Sequence, residues 1–126
     1  MTSRAERGAA VADFALVAGL LCVLFLAALQ LGVALHIRNT LIAGAAEGAR
    51  YGARVHSSPA EGAGRARDLI AASLSERYAR HVTAVRTVSG GVAVVEVRAT
   101  APLPLVGPFG PSGGLTVRAQ AFAEVQ

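Results

Sequence analysis

The chain contains a long apolar run at residues 14–35, in which Gln30 is the one strongly polar side chain. A helix rises about 1.5 Å per residue, so this run would extend roughly 33 Å, enough to cross the roughly 30 Å hydrocarbon core of a bilayer. With 126 residues in total, the chain forms one small domain at most, and such a run is too apolar for its core. The pattern therefore predicts a transmembrane helix over residues 9–35.

A helical pattern without proline continues over residues 36–55 and places small residues on one face. Gly44, Gly48 and Gly52 lie four residues apart, although each glycine costs about 1 kcal/mol of helix stability relative to alanine. Two interpretations remain open. The glycine face permits close helix–helix packing, or it packs on the sheet of its own domain.

Residues 56–126 predict a small mixed domain. Serine, proline and glycine indicate a loop at 56–64, and an apolar stripe predicts a second helix over 66–80. Strands are expected at 82–88, 92–100 and 115–125, and Ser89-Gly90-Gly91 marks a hairpin turn between the first two. The inward-facing positions expected in the second and third strands are Ala93, Val95, Val97, Ala99, Leu115, Val117, Ala119, Ala121, Ala123 and Val125.

Residues 102–114 are rich in proline and form an extended loop in this prediction, because proline interrupts strand pairing. The loop carries Leu103, Leu105, Val106 and Phe109, which is unusually apolar. It is expected either to contact a partner or to fold back over the small core.

The predicted fold class is therefore α+β: a long N-terminal transmembrane helix that extends into a small domain with a second helix and a three-stranded antiparallel sheet. The expected division is a leader at 1–8, the apolar helix at 9–35, a helical extension at 36–55 and an extracytoplasmic domain at 56–126.

Charge and candidate chemistry argue against several functions. The net charge is +4, but the arginines are scattered among acids and aromatic residues are few, so no nucleic-acid partner is expected. His36, His56 and His81 stand in unrelated contexts, and Cys22 lies within the apolar run. Without a metal-ligand spacing, a phosphate-binding glycine loop or a serine-nucleophile elbow, we expect no enzyme activity, metal, cofactor or small-molecule substrate.

The apolar run has three interpretations. A secretory signal peptide would be cut after Ala34, but its apolar core is expected to span only about 7–15 residues. A permanent anchor would keep the whole chain. In a pilin-type signal the cut precedes the run and leaves the helix on the mature protein. Arg4 and Arg7 precede the run and Arg38 follows it, so charge alone does not orient the helix.

Asp13 stands at the start of the run, where a charge is costly and usually has a function or a partner. It could cap the helix, because the helix dipole favours an acid near the N-terminus. Alternatively, a cut between Gly8 and Ala9 would make Asp13 the fifth residue, about one helical turn from the new Ala9 amine. The carboxylate and the ammonium would then neutralise each other, within one chain or between neighbours.

The segment Arg7-Gly8-Ala9-Ala10-Val11-Ala12-Asp13-Phe14 resembles the N-terminus of TadE-like pseudopilins, the minor pilins of the tight-adherence (Flp-type) pilus system. A second match is Arg38-Asn39-Thr40-Leu41 with Ala45-Ala46-Glu47-Gly48-Ala49-Arg50-Tyr51-Gly52-Ala53. The resemblance implies cleavage by a prepilin peptidase after Gly8, with Asp13 in the acidic position and Phe14 in the aromatic one. The family usually has glutamate in the acidic position, so Asp13 is one methylene shorter.

By this resemblance the protein is a minor pilin, held in the membrane and then assembled into, or priming, an adhesion pilus. Its implied partners are the prepilin peptidase, other pilins and pilus assembly proteins. The N-terminus is expected in the cytoplasm and the domain outside it, with the cell surface as a further location within a pilus. The alternative is a permanently anchored extracytoplasmic binding module.

Overall fold

The computed structural model describes residues 2–103 and 114–124 and confirms the α+β class. It divides into two compact units, Met1–Val33 and Ala34–Gln126. The predicted contact residues Leu105, Val106 and Phe109 of the loop, and the predicted inward position Val125, lie outside the described residues.

Helix α1 comprises Thr2–Gly52. It begins seven residues before Ala9, the predicted start, and the leader contains four good helix formers in succession, Arg4, Ala5, Glu6 and Arg7. In the second unit, α1 buries a stripe with a four-residue repeat, as expected for one face of a helix. The stripe consists of Ile37, Leu41, Ala45 and Ala49.

Helix α2 comprises Pro59–Ser73, and a 3₁₀ helix follows at Glu76–Ala79. The predicted boundaries, 66–80 for the helix and 56–64 for the loop, were therefore wrong. Ser58 caps α2 and Pro59 occupies its first turn, where its missing N–H costs no hydrogen bond. The Ser58 hydroxyl accepts a bond from the Glu61 amide at 3.2 Å, and the Glu61 carboxylate accepts one from the Ser58 amide at 2.8 Å.

The Ser58→Ala variant is expected to lose about 1 kcal/mol of the free energy of unfolding, since it leaves an amide of the first helical turn without its acceptor. Chemical denaturation followed by tyrosine fluorescence measures this change. Both tyrosines, Tyr51 and Tyr78, lie in the second unit, and the chain has no tryptophan. Ser57→Ala is the neighbouring control and should change the midpoint little; an equal loss in both variants would contradict the capping role.

Three strands form one antiparallel sheet in the order β1-β2-β3, with β1 at His81–Ser89, β2 at Val92–Pro102 and β3 at Gly114–Phe122. Gly90 and Gly91 both have positive φ, which the tight β1–β2 turn requires and glycine adopts without strain. Helix α2 and the C-terminal part of α1 pack on one face of the sheet, where Val97, Ala99 and other core residues are buried.

Two positions at the hairpin end of β2 differ from the predicted alternation. Val95, Val97 and Ala99 are buried as expected, but Ala93 is exposed and Val94 is buried. Val88, the partner of Ala93 on β1, is also exposed. The helices therefore do not cover Ala93 and Val88, and alternation along β2 does not decide burial at this end. β3 ends at Phe122 rather than at the predicted residue 125.

The residues after β3 are bonded to the segment that follows α1. The Glu124 amide donates to the Ala53 carbonyl at 2.8 Å, and the Glu124 carboxylate accepts a bond from the Val55 amide at 3.1 Å. Backbone groups at the end of α1, which have no partner within the helix, are satisfied in this way.

Candidate functional site

The sequence-predicted processing and pairing residues all lie on α1, within the first unit. Gly8, Ala9, Asp13 and Phe14 are helical and exposed. Ala9 and Asp13 are four residues apart, which places them on the same face of the helix. An alanine-type Cβ built at Gly8 would have no heavy atom within 4 Å, so the chain around Gly8 is sterically open.

Asp13 is not at the beginning of the helix, because α1 starts at Thr2 and its first turn contains no acidic residue. In the full chain, Asp13 therefore does not cap α1. The ion pairs among residues 2–103 and 114–124 are Arg50–Glu47 and Arg98–Glu96, so the Asp13 carboxylate has no cationic side chain beside it in the described chain.

The apolar part of α1 exposes its large side chains on all sides. Phe14 is 75% exposed and Phe25 is 72% exposed, and none of the most apolar 18-residue stretch of the helix is buried. Helix α1 is long and apolar enough to cross a membrane and is compatible with a single-pass anchor. A helix that is apolar all round requires a nonaqueous environment, either lipid or other helices.

The glycine face of α1 lies in the second unit and packs against α2. A Cβ at Gly44 would lie 2.7 Å from Cγ1 of Ile70, and one at Gly48 would lie 2.6 Å from the carbonyl oxygen of Gly62. A Cβ at Gly52 would lie 3.1 Å from the carbonyl oxygen of Ser58. The neighbour of this face is chiefly the second helix of the same domain, and the sheet contributes Val95 near Gly52.

Gly62 is the residue of this contact that sequence reasoning missed. A Cβ there would lie 2.5 Å from the Gly48 carbonyl oxygen and 3.0 Å from Cα of Gly52, so the backbones of the two helices meet directly. The available signal was the Ser58-Pro59-Ala60-Glu61 sequence, a capping-box pattern that marks the start of a helix at Pro59.

The outer face of the sheet carries a polar group centred on Glu96. The side-chain amide of Gln120 donates to Glu96 at 2.8 Å, and Arg98 donates at 3.2 Å. The hydrogen bond from Gln120, followed by the bond and charge of Arg98 and the charge of Arg118, holds the pKa of Glu96 below its usual value. Glu96 therefore stays ionised and neutralises part of the arginine charge on this face.

No group of three histidine, cysteine or acidic side chains in the described residues could hold a metal ion. Cys22 is free and exposed. His56 has a φ of 68° in the turn between α1 and α2, so its conformation belongs to the chain reversal there.

Comparison with known proteins identifies the N-terminal part of the chain. No curated protein and no solved structure gives a significant match. The family model described as "TadE-like protein" matches residues 8–50, which contain Gly8, Asp13, Phe14 and the first two residues of the glycine face. The predicted resemblance is thereby confirmed over residues 8–50, where the chain is similar to TadE-like proteins.

Proposed function

We propose that the protein is a minor pilin that is cut between Gly8 and Ala9 and is then assembled into, or primes, a tight-adherence pilus. The observation that carries this proposal is the position of Gly8, Asp13 and Phe14. They lie at the N-terminal edge of the apolar run of α1, whose large side chains are exposed, and inside the segment that matches the TadE-like family. A helix with this surface suits both a bilayer and a bundle of pilin helices.

In this proposal, cleavage creates the partner that Asp13 lacks. The new α-ammonium of Ala9 begins one helical turn before the Asp13 carboxylate. In lipid or in a helix bundle, each of these charges would be costly alone, and pairing reduces the cost. The pair forms within one chain or, in an assembled pilus, between the Asp13 of one subunit and the Ala9 of its neighbour.

The bond to be cut lies inside α1, so the prepilin peptidase must unwind the helix locally before it can reach the peptide group. A glycine at position 8 lowers the helix stability there by about 1 kcal/mol relative to alanine. It also presents no side chain to the peptidase. The leader would remain in the cytoplasm and the second unit would lie outside, with other pilins and pilus assembly proteins as partners.

The mass of the mature chain tests this proposal directly. Mass spectrometry of cell membranes and of sheared surface material should find an N-terminus at Ala9. An N-terminus at Met1 or Thr2 would contradict processing and favour a permanently anchored binding module. An N-terminus at Leu35 would instead indicate a signal peptide and a released domain.

The Gly8→Leu variant is expected to accumulate as the uncut chain, because leucine adds a side chain at the cleavage site and strengthens the helix. Gly19→Leu is the matched control, since a Cβ at either position meets no heavy atom within 4 Å. The control should be cut normally. Loss of processing in both variants, or in neither, would argue against recognition of Gly8.

A further inference from the structure

One cleft of the second unit collects basic side chains without an acid. It has a volume of about 310 Å³ and lies between the 3₁₀ helix and the adjoining ends of the three strands. We name it the basic cleft. Its lining residues are Arg77, Arg80, His81, Thr100, Ala101, Pro102, Leu103 and Gly114.

The charge of the basic cleft is not neutralised within the described chain. Neither Arg77 nor Arg80 takes part in an ion pair among residues 2–103 and 114–124, and both are exposed. Arg77 lies over the ring of Tyr78, at 5.9 Å, a contact that leaves the guanidinium able to bind an anion. Glu76 is next to Arg77 in the chain but does not line the cleft. The sequence of residues 104–113, which joins β2 to β3, contains no acidic residue.

A second cleft of the same unit also contains two arginines, but acidic side chains lie close to them. It has a volume of about 500 Å³ and contains Arg50 and Arg54, but Glu124 lines it as well. Arg50 is paired with Glu47 at 3.2 Å, and Arg54 lies over the ring of Tyr51 at 5.2 Å. These two arginines therefore provide a control with the same number of charges and with an acid close by.

From this geometry we propose that the basic cleft binds a phosphate group. Guanidinium groups bind phosphate oxygens through paired charge-assisted hydrogen bonds, and arginine suits this task better than lysine. Thr100 and His81 also line the cleft. The Thr100 hydroxyl is hydrogen-bonded to the Thr116 hydroxyl at 3.0 Å, so the two arginines are the groups that would bind the phosphate. The phosphate belongs to a lipid headgroup or to a soluble phosphate ester, and the proposal is independent of pilin-type processing.

The test uses the full chain in phosphatidylcholine nanodiscs, titrated with inorganic tripolyphosphate at low ionic strength and followed by calorimetry. Arg77→Gln together with Arg80→Gln should weaken binding at least about tenfold, because it removes the charge-assisted bonds. Arg50→Gln together with Arg54→Gln lowers the net charge equally and should weaken binding by about twofold at most, through the general field of the protein.

A second arm distinguishes the source of the phosphate. Phosphatidylglycerol vesicles are added to the same nanodiscs, and their capture is measured for the three proteins. Capture of vesicles that depends on Arg77 and Arg80, without tripolyphosphate binding, assigns a lipid headgroup. Tripolyphosphate binding that depends on these arginines, without vesicle capture, assigns a soluble ester, and dependence in both arms still supports a phosphate site. Equal losses in the two double variants, or no binding in either arm, would overturn the proposal.

Discussion

The Gly48→Ala variant is expected to lose about 1–2 kcal/mol of the free energy of unfolding, although alanine is the better helix former. The new Cβ would lie 2.6 Å from the Gly62 carbonyl oxygen and 2.7 Å from Cβ of Ala66. Overpacking of this kind costs about 1–3 kcal/mol, while the gain in helix propensity is at most about 1 kcal/mol. The cost of overpacking exceeds the gain in helix propensity because the nearest atom belongs to the backbone of α2, which cannot move without shifting that helix.

Gly64→Ala is the matched control for this prediction. It makes the same chemical change on α2, but its Cβ would meet no heavy atom within 4 Å. Here the helix propensity acts alone, so the free energy of unfolding should rise by about 0.5–1 kcal/mol. Denaturation of the full chain in detergent, followed by tyrosine fluorescence, measures both variants. A stabilised Gly48→Ala variant would show that the two helices are not in direct backbone contact.

The second large effect concerns Asp13. The Asp13→Ala variant should insert into the membrane and be cut after Gly8, yet reach sheared pili at least about tenfold less than the natural chain. Insertion is not impaired because the substitution removes a charge from the edge of the apolar run. Assembly suffers because the Ala9 ammonium is left without its partner, and breaking a buried ion pair on one side costs about 3–5 kcal/mol.

Asp13→Glu is the control, since it keeps the charge and lengthens the side chain by one methylene. The amounts of mature chain in membranes and in sheared pili are compared by quantitative mass spectrometry for both variants. Normal assembly of Asp13→Ala would exclude charge pairing as the role of this residue. Failure of Asp13→Glu as well would mean that the length of the side chain matters along with its charge.

The hypothesis of cleavage and charge pairing in the N-terminal segment could be formed from the sequence because it depends on residues that are close in the chain. The length of the apolar run specifies what the helix can span, and the spacing of Gly8, Ala9 and Asp13 specifies which groups a single cut would bring together. No tertiary contact is needed for either inference. The confirmed match of residues 8–50 to the TadE-like family rests on the same local pattern.

The basic cleft could not be predicted, since its residues come from separate parts of the chain. Arg77 lies in the short 3₁₀ helix, Arg80 directly follows it, and Thr100 belongs to β2. In the sequence these arginines are two among twelve and appear as ordinary surface charges. Only the pairing of His81 with Thr100 across β1 and β2 brings Thr100 to the cleft that the two arginines line.

The sequence by itself determined the membrane-length helix, the alternation along most of β2 and β3 and the Gly90-Gly91 turn, because each depends on local periodicity or backbone preference. The tertiary structure alone decided what covers the glycine face. Periodicity shows which residues share a face, but not which neighbour packs against them. Gly62 carries no apolar side chain that would mark it as a contact, and its role arises only where the backbones of α1 and α2 meet. Likewise, Ala93 is exposed because the helices do not cover it, and the residue pattern of β2 does not show which part of the strand the helices cover.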